Sequence, residues 1–153
     1  MTRWLTAEEQ DLWRSVLYGF TRMMNVLDDS LQSHSDLAIK DYEILVRLSE
    51  SPDRQLRMSE LADQVLISRS RLTYRVDQLI RRGLVSRVEC DDDRRGIFAQ
   101  LTPTGLETLA AAASLHVEDV RRQLIDHVDA SQIQQLTTLF GDIDRAARDS
   151  STD

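Results

Sequence analysis

The feature that most constrains this chain is a single interruption in an otherwise helical rhythm of apolar residues. Apolar side chains recur every three or four positions at Leu12, Trp13, Val16, Leu17, Phe20, Met23, Met24, Leu27 and Leu31, and again at Tyr42, Leu45, Val46 and Leu48. That is the period of an amphipathic helix. Only at Leu84-Val85-Ser86-Arg87-Val88-Glu89 and at Ile97 to Leu101 does the pattern alternate as a strand does. Cys90 to Gly96, between them, is charged turn chemistry, so the two runs read as a β-hairpin. Five glycines and two prolines in 153 residues leave too little turn chemistry for an all-β fold.

The helix ends can be placed from cap chemistry. Thr6 with Glu9 forms a capping box at the start of the first helix, and the polar stretch Ser30 to Asp36 breaks its pattern. Ser51-Pro52-Asp53 ends the second helix, because the residue before proline is driven out of the α region. Ser59, Leu61, Ala62 and Val65 mark a short helix. After a tight turn, Ser68 caps a helix that runs to Gly83 with Leu72, Val76, Leu79 and Ile80 inward, and Gly83 fits a C-terminal cap. Thr102 or Thr104 caps a further helix carrying Leu106, Leu109, Ala113, Val117, Val120 and Leu124. In the last helix, beginning after Ala130 and Ser131, Ile133, Leu136, Phe140, Ile143 and Ala147 are spaced like a coiled-coil seam.

Charge is distributed as unevenly as periodicity. The whole chain carries −7, yet between Leu66 and Val88 six arginines (Arg69, Arg71, Arg75, Arg81, Arg82, Arg87) face one acid, Asp77, a net of five positive charges. A basic island in an acidic chain is the footprint of a nucleic-acid face. Two short helices joined by a tight turn, the second rich in Arg, Ser and Thr, form a helix-turn-helix whose second helix enters the major groove. With Leu72, Val76 and Leu79 turned inward, 100° per residue places Ser70, Arg71, Thr73, Tyr74, Asp77, Gln78 and Arg81 outward. Arg71 can bond a guanine through both arms of its fork, Ser70 and Thr73 can meet either donors or acceptors, and Tyr74 can touch a thymine methyl or a phosphate. Arg69 and Arg75, on the flanks, suit phosphates. In the hairpin tip, where Arg94 and Arg95 follow three aspartates, Asp93 can hold the guanidinium of Arg95 for a narrow minor groove.

Other functions find less support. No apolar run reaches the roughly 20 residues needed to span a bilayer, and Met1-Thr2-Arg3-Trp4 opens no signal peptide, so a cytoplasmic protein without membrane contact is expected. No phosphate-cradling glycine loop and no nucleophile with base and orienter suggests an enzyme, and no cofactor is implied. His116 and His127, about 16 Å apart if both lie on one helix, cannot share a metal ion. Cys90, the single cysteine, cannot make an internal disulfide, and three neighbouring aspartates disfavour its reactive thiolate. A redox-sensing regulator built on Cys90 is therefore the weaker alternative. A dimeric protein-interaction module without DNA binding is weaker too, since it leaves the arginine-rich helix and hairpin without a role.

These residues resemble the MarR family of regulators. The likeness runs through Met58-Ser59-Glu60-Leu61-Ala62, Ser68-Arg69-Ser70-Arg71-Leu72-Thr73, and Arg82-Gly83-Leu84-Val85 followed by Arg87. It continues in a wing signature at Asp93, Arg95, Leu101, Thr102 and Gly105. One departure is Asp36, where the family often has glycine. The resemblance implies a mainly α fold with a small β-hairpin wing (α+β). In that fold residues 1–36 form an N-terminal dimerisation helix, 37–102 a winged helix-turn-helix, 103–148 C-terminal dimerisation helices and 149–153 a frayed tail. It further implies a homodimer on a near-palindromic operator in double-stranded DNA, acting as a repressor that responds to a small aromatic or anionic effector. The DNA-binding set would be Ser68, Arg69, Ser70, Arg71, Thr73, Tyr74, Arg75, Asp93, Arg94 and Arg95, and Trp13, Phe20, Met24 and Tyr42 could line the effector pocket. Apolar stripes on the terminal helices, more than one small winged domain can cover, agree with a partner surface.

Overall fold

The computed structural model describes residues 1–89 and 97–150. Cys90, Asp93, Arg94 and Arg95 lie outside them, so the expectations placed on the wing tip and on the cysteine do too. The described elements run α1 (Ala7–Ser35), α2 (Ile39–Glu50), β1 (Gln55–Arg57), α3 (Met58–Val65), α4 (Arg69–Arg81), β2 (Val85–Glu89), β3 (Ile97–Leu101), α5 (Pro103–Gln123) and α6 (Ala130–Ser150). Two compact units result, Met1–Val117 and Glu118–Asp153, divided within α5.

Local chemistry sets the element ends. The Thr6 hydroxyl accepts from Glu9 N at 3.2 Å while Thr6 N donates to Glu9 Oε2 at 2.8 Å, the reciprocal box expected at the start of α1. The polar stretch from Ser30 does not end that helix, contrary to expectation: α1 continues to Ser35, because Leu31 still faces the core at 2% exposure and polar neighbours are tolerated on the wet side. Asp36 then closes it in the left-handed region, φ 52° and ψ 34°. This is a conformation glycine adopts without penalty, which accounts physically for glycine as the commoner residue there. At the end of α4, Gly83 has φ 72°, Gly83 N donates to Ile80 O at 2.9 Å and Leu84 N donates to Leu79 O at 3.0 Å. Those two bonds make the Schellman closure of α4.

The sheet has three strands in the order β1-β3-β2, all antiparallel. β2 and β3 pair as the expected hairpin, with Val85 opposite Leu101 and Val88 opposite Phe98. β1 was not expected; its three residues pair Leu56 with Ala99 on the far edge of β3. The core of the first unit gathers Leu31, Leu37, Ile44, Leu45 and Leu48 from α1, α2 and their junction. Against them lie Leu61 and Val65 of α3, Leu72, Val76 and Leu79 of α4, and Leu84, Val85, Ala99 and Leu101 of the wing. This core fixes α4 by its inward stripe and leaves the opposite stripe outward.

At the C-terminal helices the structure chooses between the two expected caps and separates the two histidines. Thr102, rather than Thr104, caps α5: its hydroxyl accepts from Gly105 N at 2.9 Å and donates to Gly83 O at 2.7 Å. His127 sits in a short 3-10 turn, Ile125–His127, beyond the end of α5, so it does not share a helix with His116. A capping box at Asp129 and Gln132, with both bonds 2.9 Å, starts α6.

Candidate nucleic-acid interface

The N-terminal half of α4 presents the expected readers to solvent. Ser70, Arg71, Thr73 and Tyr74 are all exposed, Tyr74 at 65%. Ser68 caps the helix, accepting from Arg71 N at 3.4 Å, and its hydroxyl lies 3.2 Å from that of Ser70. The Thr73 hydroxyl donates to Arg69 O at 2.9 Å, which leaves its methyl group and an oxygen lone pair to face outward. Clefts flank the helix on both sides. One, of about 440 Å³, is lined by Arg57, Ser59, Arg69, Thr73 and Arg87 among others; the second, of about 470 Å³, by Lys40, Ile67, Ser70, Arg71, Tyr74 and Arg75.

The six arginines of the basic stretch divide into two groups. Arg75 Nη1 donates to Asp41 Oδ1 at 2.9 Å, Arg82 Nη1 to the Asp36 carbonyl at 2.6 Å, and Arg87 Nη2 to Asp77 Oδ1 at 2.6 Å. Arg69, Arg71 and Arg81 form no ion pair among the described residues. Asp77, the lone acid of the stretch, is thus neutralised by Arg87 and joins α4 to β2 of the wing. Sequence reasoning missed Lys40 and Arg57 at the rims of the clefts. Arg57 lies over the Phe98 ring, 5.1 Å from its centroid. It belongs to β1, a strand too short to carry an alternation signal, and Lys40 had no basic neighbours to mark it.

The residues expected to line an effector pocket are placed less compactly. Trp13 and Phe20 stand on α1 at 58% and 55% exposure, and Met24 is half-buried on the same helix. Tyr42 of α2 packs its ring against His116 of α5, centroids 4.5 Å apart, and burial pushes its phenol above its ordinary range. None of four surface clefts among the described residues is lined by any of the four. Among the described residues no group of histidine, cysteine and carboxylate side chains is arranged to hold a metal ion, and no helix is long and apolar enough to cross a membrane.

Comparison with known proteins adds to this geometry. A sequence model of the MarR family matches residues 35–96. The chain is similar to Sco3205, a MarR family transcriptional regulator from Streptomyces coelicolor solved in complex with DNA. The two are 40% identical over 95% of this chain and 91% of that one, with a TM-score of 0.93. It is also similar to AbsC, another MarR family regulator of that organism, with 41% identity over 96% and 99% of the two chains and a TM-score of 0.92. The homoprotocatechuate degradative operon repressor of Escherichia coli is 32% identical over 69% of each chain.

Proposed function

The chain belongs to the MarR family of transcriptional regulators, and from that footing we propose that it is a homodimeric repressor. It reads a near-palindromic operator and releases it when a small aromatic or anionic molecule binds. The observation that carries the reading is the uncovered N-terminal half of α4, where Ser70, Arg71, Thr73 and Tyr74 are exposed between two basic-rimmed clefts. In this assignment those four side chains read base edges, Arg69 meets a phosphate, and Arg95, supported by Asp93 and flanked by Arg94, enters the minor groove. The DNA-bound state of Sco3205 and the repressor name of the Escherichia coli relative support it.

Dimer formation has its own physical motive. On α1, Leu12, Trp13, Val16, Leu17 and Phe20 are 40–66% exposed, and on α6, Ile133, Leu139, Phe140 and Ile143 are 42–52% exposed. Contiguous apolar faces of that kind mark partner surfaces. A two-fold dimer sets half-sites about one helical turn apart, roughly 34–36 Å. Trp13, Phe20, Met24 and Tyr42 line the effector pocket, with the partner's helices as its remaining wall.

Fluorescence anisotropy with the DNA upstream of the gene, taken over a salt series, tests the reading. Binding should weaken as salt rises, and an aromatic acid that fits the pocket should release the DNA. Arg71→Ala should cost about 1–3 kcal/mol and relax preference at one base-pair position. Equal loss on every sequence would remove base reading from the account.

A further inference from the structure

Lys40 and Asp41 stand side by side in the first turn of α2, outside the arginine-rich segment, and each reaches a different helix of the helix-turn-helix. Asp41 Oδ1 accepts from Arg75 Nη1 of α4 at 2.9 Å. Lys40 Nζ donates at 2.9 Å to the carbonyl of Val65, the last residue of α3, and at 2.8 Å to Glu43 Oε2. Both attachments are partly withdrawn from water: the side chains of Asp41 and Arg75 are 15% and 33% exposed, that of Lys40 32%. A charge-assisted bond so placed is directional, and the α2 N-terminus favours the Asp41 carboxylate. On α4, Arg75 is the neighbour, one turn on, of Arg71, and with Tyr74 they line one cleft.

We infer that Lys40 and Asp41 form a bracket that sets the angle between α3 and α4 and the roll of α4 about its axis. Asp41 and Arg75 are thereby positioning residues for base reading. This assigns Arg75 to its internal partner in place of a phosphate, and it rests on the DNA-binding reading above. Electrostatics alone predicts the opposite sign for Asp41, since deleting an acid near the DNA face should tighten binding to any duplex. A bracket lost should weaken selected DNA alone.

The test uses the full chain with two probes: a duplex recovered by the wild-type protein from a random-sequence pool, and a scrambled duplex of the same length. Asp41→Asn and Arg75→Lys should each lower the ratio of selected to scrambled affinity about tenfold. The lysine variant keeps the charge a phosphate needs but lacks the Nη1 group whose fixed direction carries the bond to Asp41 Oδ1. Scrambled binding should hold or tighten, the salt slope should stay unchanged, and the double variant should be no worse than the worse single one. Titrations run below each variant's melting transition, followed by circular dichroism, so that loss of fold is not scored as loss of reading. The inference is overturned if Asp41→Asn tightens both duplexes alike or if Arg75→Lys keeps the full ratio. It is also overturned if Arg75→Gln lowers the salt slope by about one. A wild-type protein that recovers no duplex and binds none in a salt-sensitive way overturns the DNA-binding reading itself.

Discussion

Two glycines at the base of the wing are required for unlike reasons, and substitution separates them. Gly83 has open space around a Cβ but sits at φ 72°, where an L residue is strained. Gly105 has no such φ; a Cβ there would overlap the Leu84 carbonyl oxygen and come within 2.7 Å of Leu101 Cδ1. The first turn of α5 thus rests directly on the backbone that leads into β2. Gly83→Ala should cost about 1 kcal/mol through backbone strain, and Gly83→Asn less, because asparagine tolerates the left-handed region. Gly105→Ala should cost about 2–3 kcal/mol through overpacking, and Gly105→Asn more still. Urea denaturation midpoints give the order, and an asparagine that is milder than alanine at both positions would refute the distinction. Gly105 was legible only as part of a family pattern; the reason for it, a carbonyl 21 positions earlier in the chain, is a long-range contact that no local spacing reveals.

Elements were legible in the sequence where one face alone had to be buried. Leu72, Val76 and Leu79 define the inward face of α4, all three at 0% exposure, and Gly83 ends that helix as its position suggested. β1 escaped notice because three residues cannot show a period and exist as a strand only where β3 offers an edge. The pinned arginines escaped too: helix angles put Arg75 on a flank, but only the fold brings Asp41 to it across 34 positions. Thr102 shows the same dependence at the junction of elements. Its amide donates to Leu84 O at 3.1 Å, and its hydroxyl ties Gly83 O to Gly105 N, so one side chain joins the end of α4, the end of β3 and the start of α5. Thr102→Val, which keeps the shape and loses both hydroxyl bonds, should destabilise by about 1–2 kcal/mol. Thr102→Ser should keep most of the stability, and equal midpoints for the two variants would show that packing, not capping, holds the junction.

For the whole molecule, the question is how a chain of net charge −7 holds a polyanion. Of six arginines in the basic stretch, Arg75, Arg82 and Arg87 are engaged by Asp41, Asp36 and Asp77, which leaves Arg69, Arg71 and Arg81 without an ion pair among the described residues. Three cations are a small electrostatic grip against the remaining acidic surface, so the proposed homodimer would draw its affinity at moderate salt from two protomers acting at once. At roughly 0.9 of slope per neutralised phosphate, Arg69 and Arg81 on each of two protomers, with Arg71 given to base reading, contribute about −4 to the change of log K with log salt, before the wing adds its own. A single protomer contributes half of that. Placing charge on the uncovered apolar face of α6, as Phe140→Glu with Ile143→Glu, should leave the first unit folded, because α6 buries no residue in the single chain. Sedimentation equilibrium should then report monomers, and the salt slope on operator DNA should fall to about half the wild-type value, with selected affinity down by orders of magnitude. A variant that is monomeric yet keeps the full slope would mean that one protomer supplies every phosphate contact, and the two-fold reading of the operator would be lost with it.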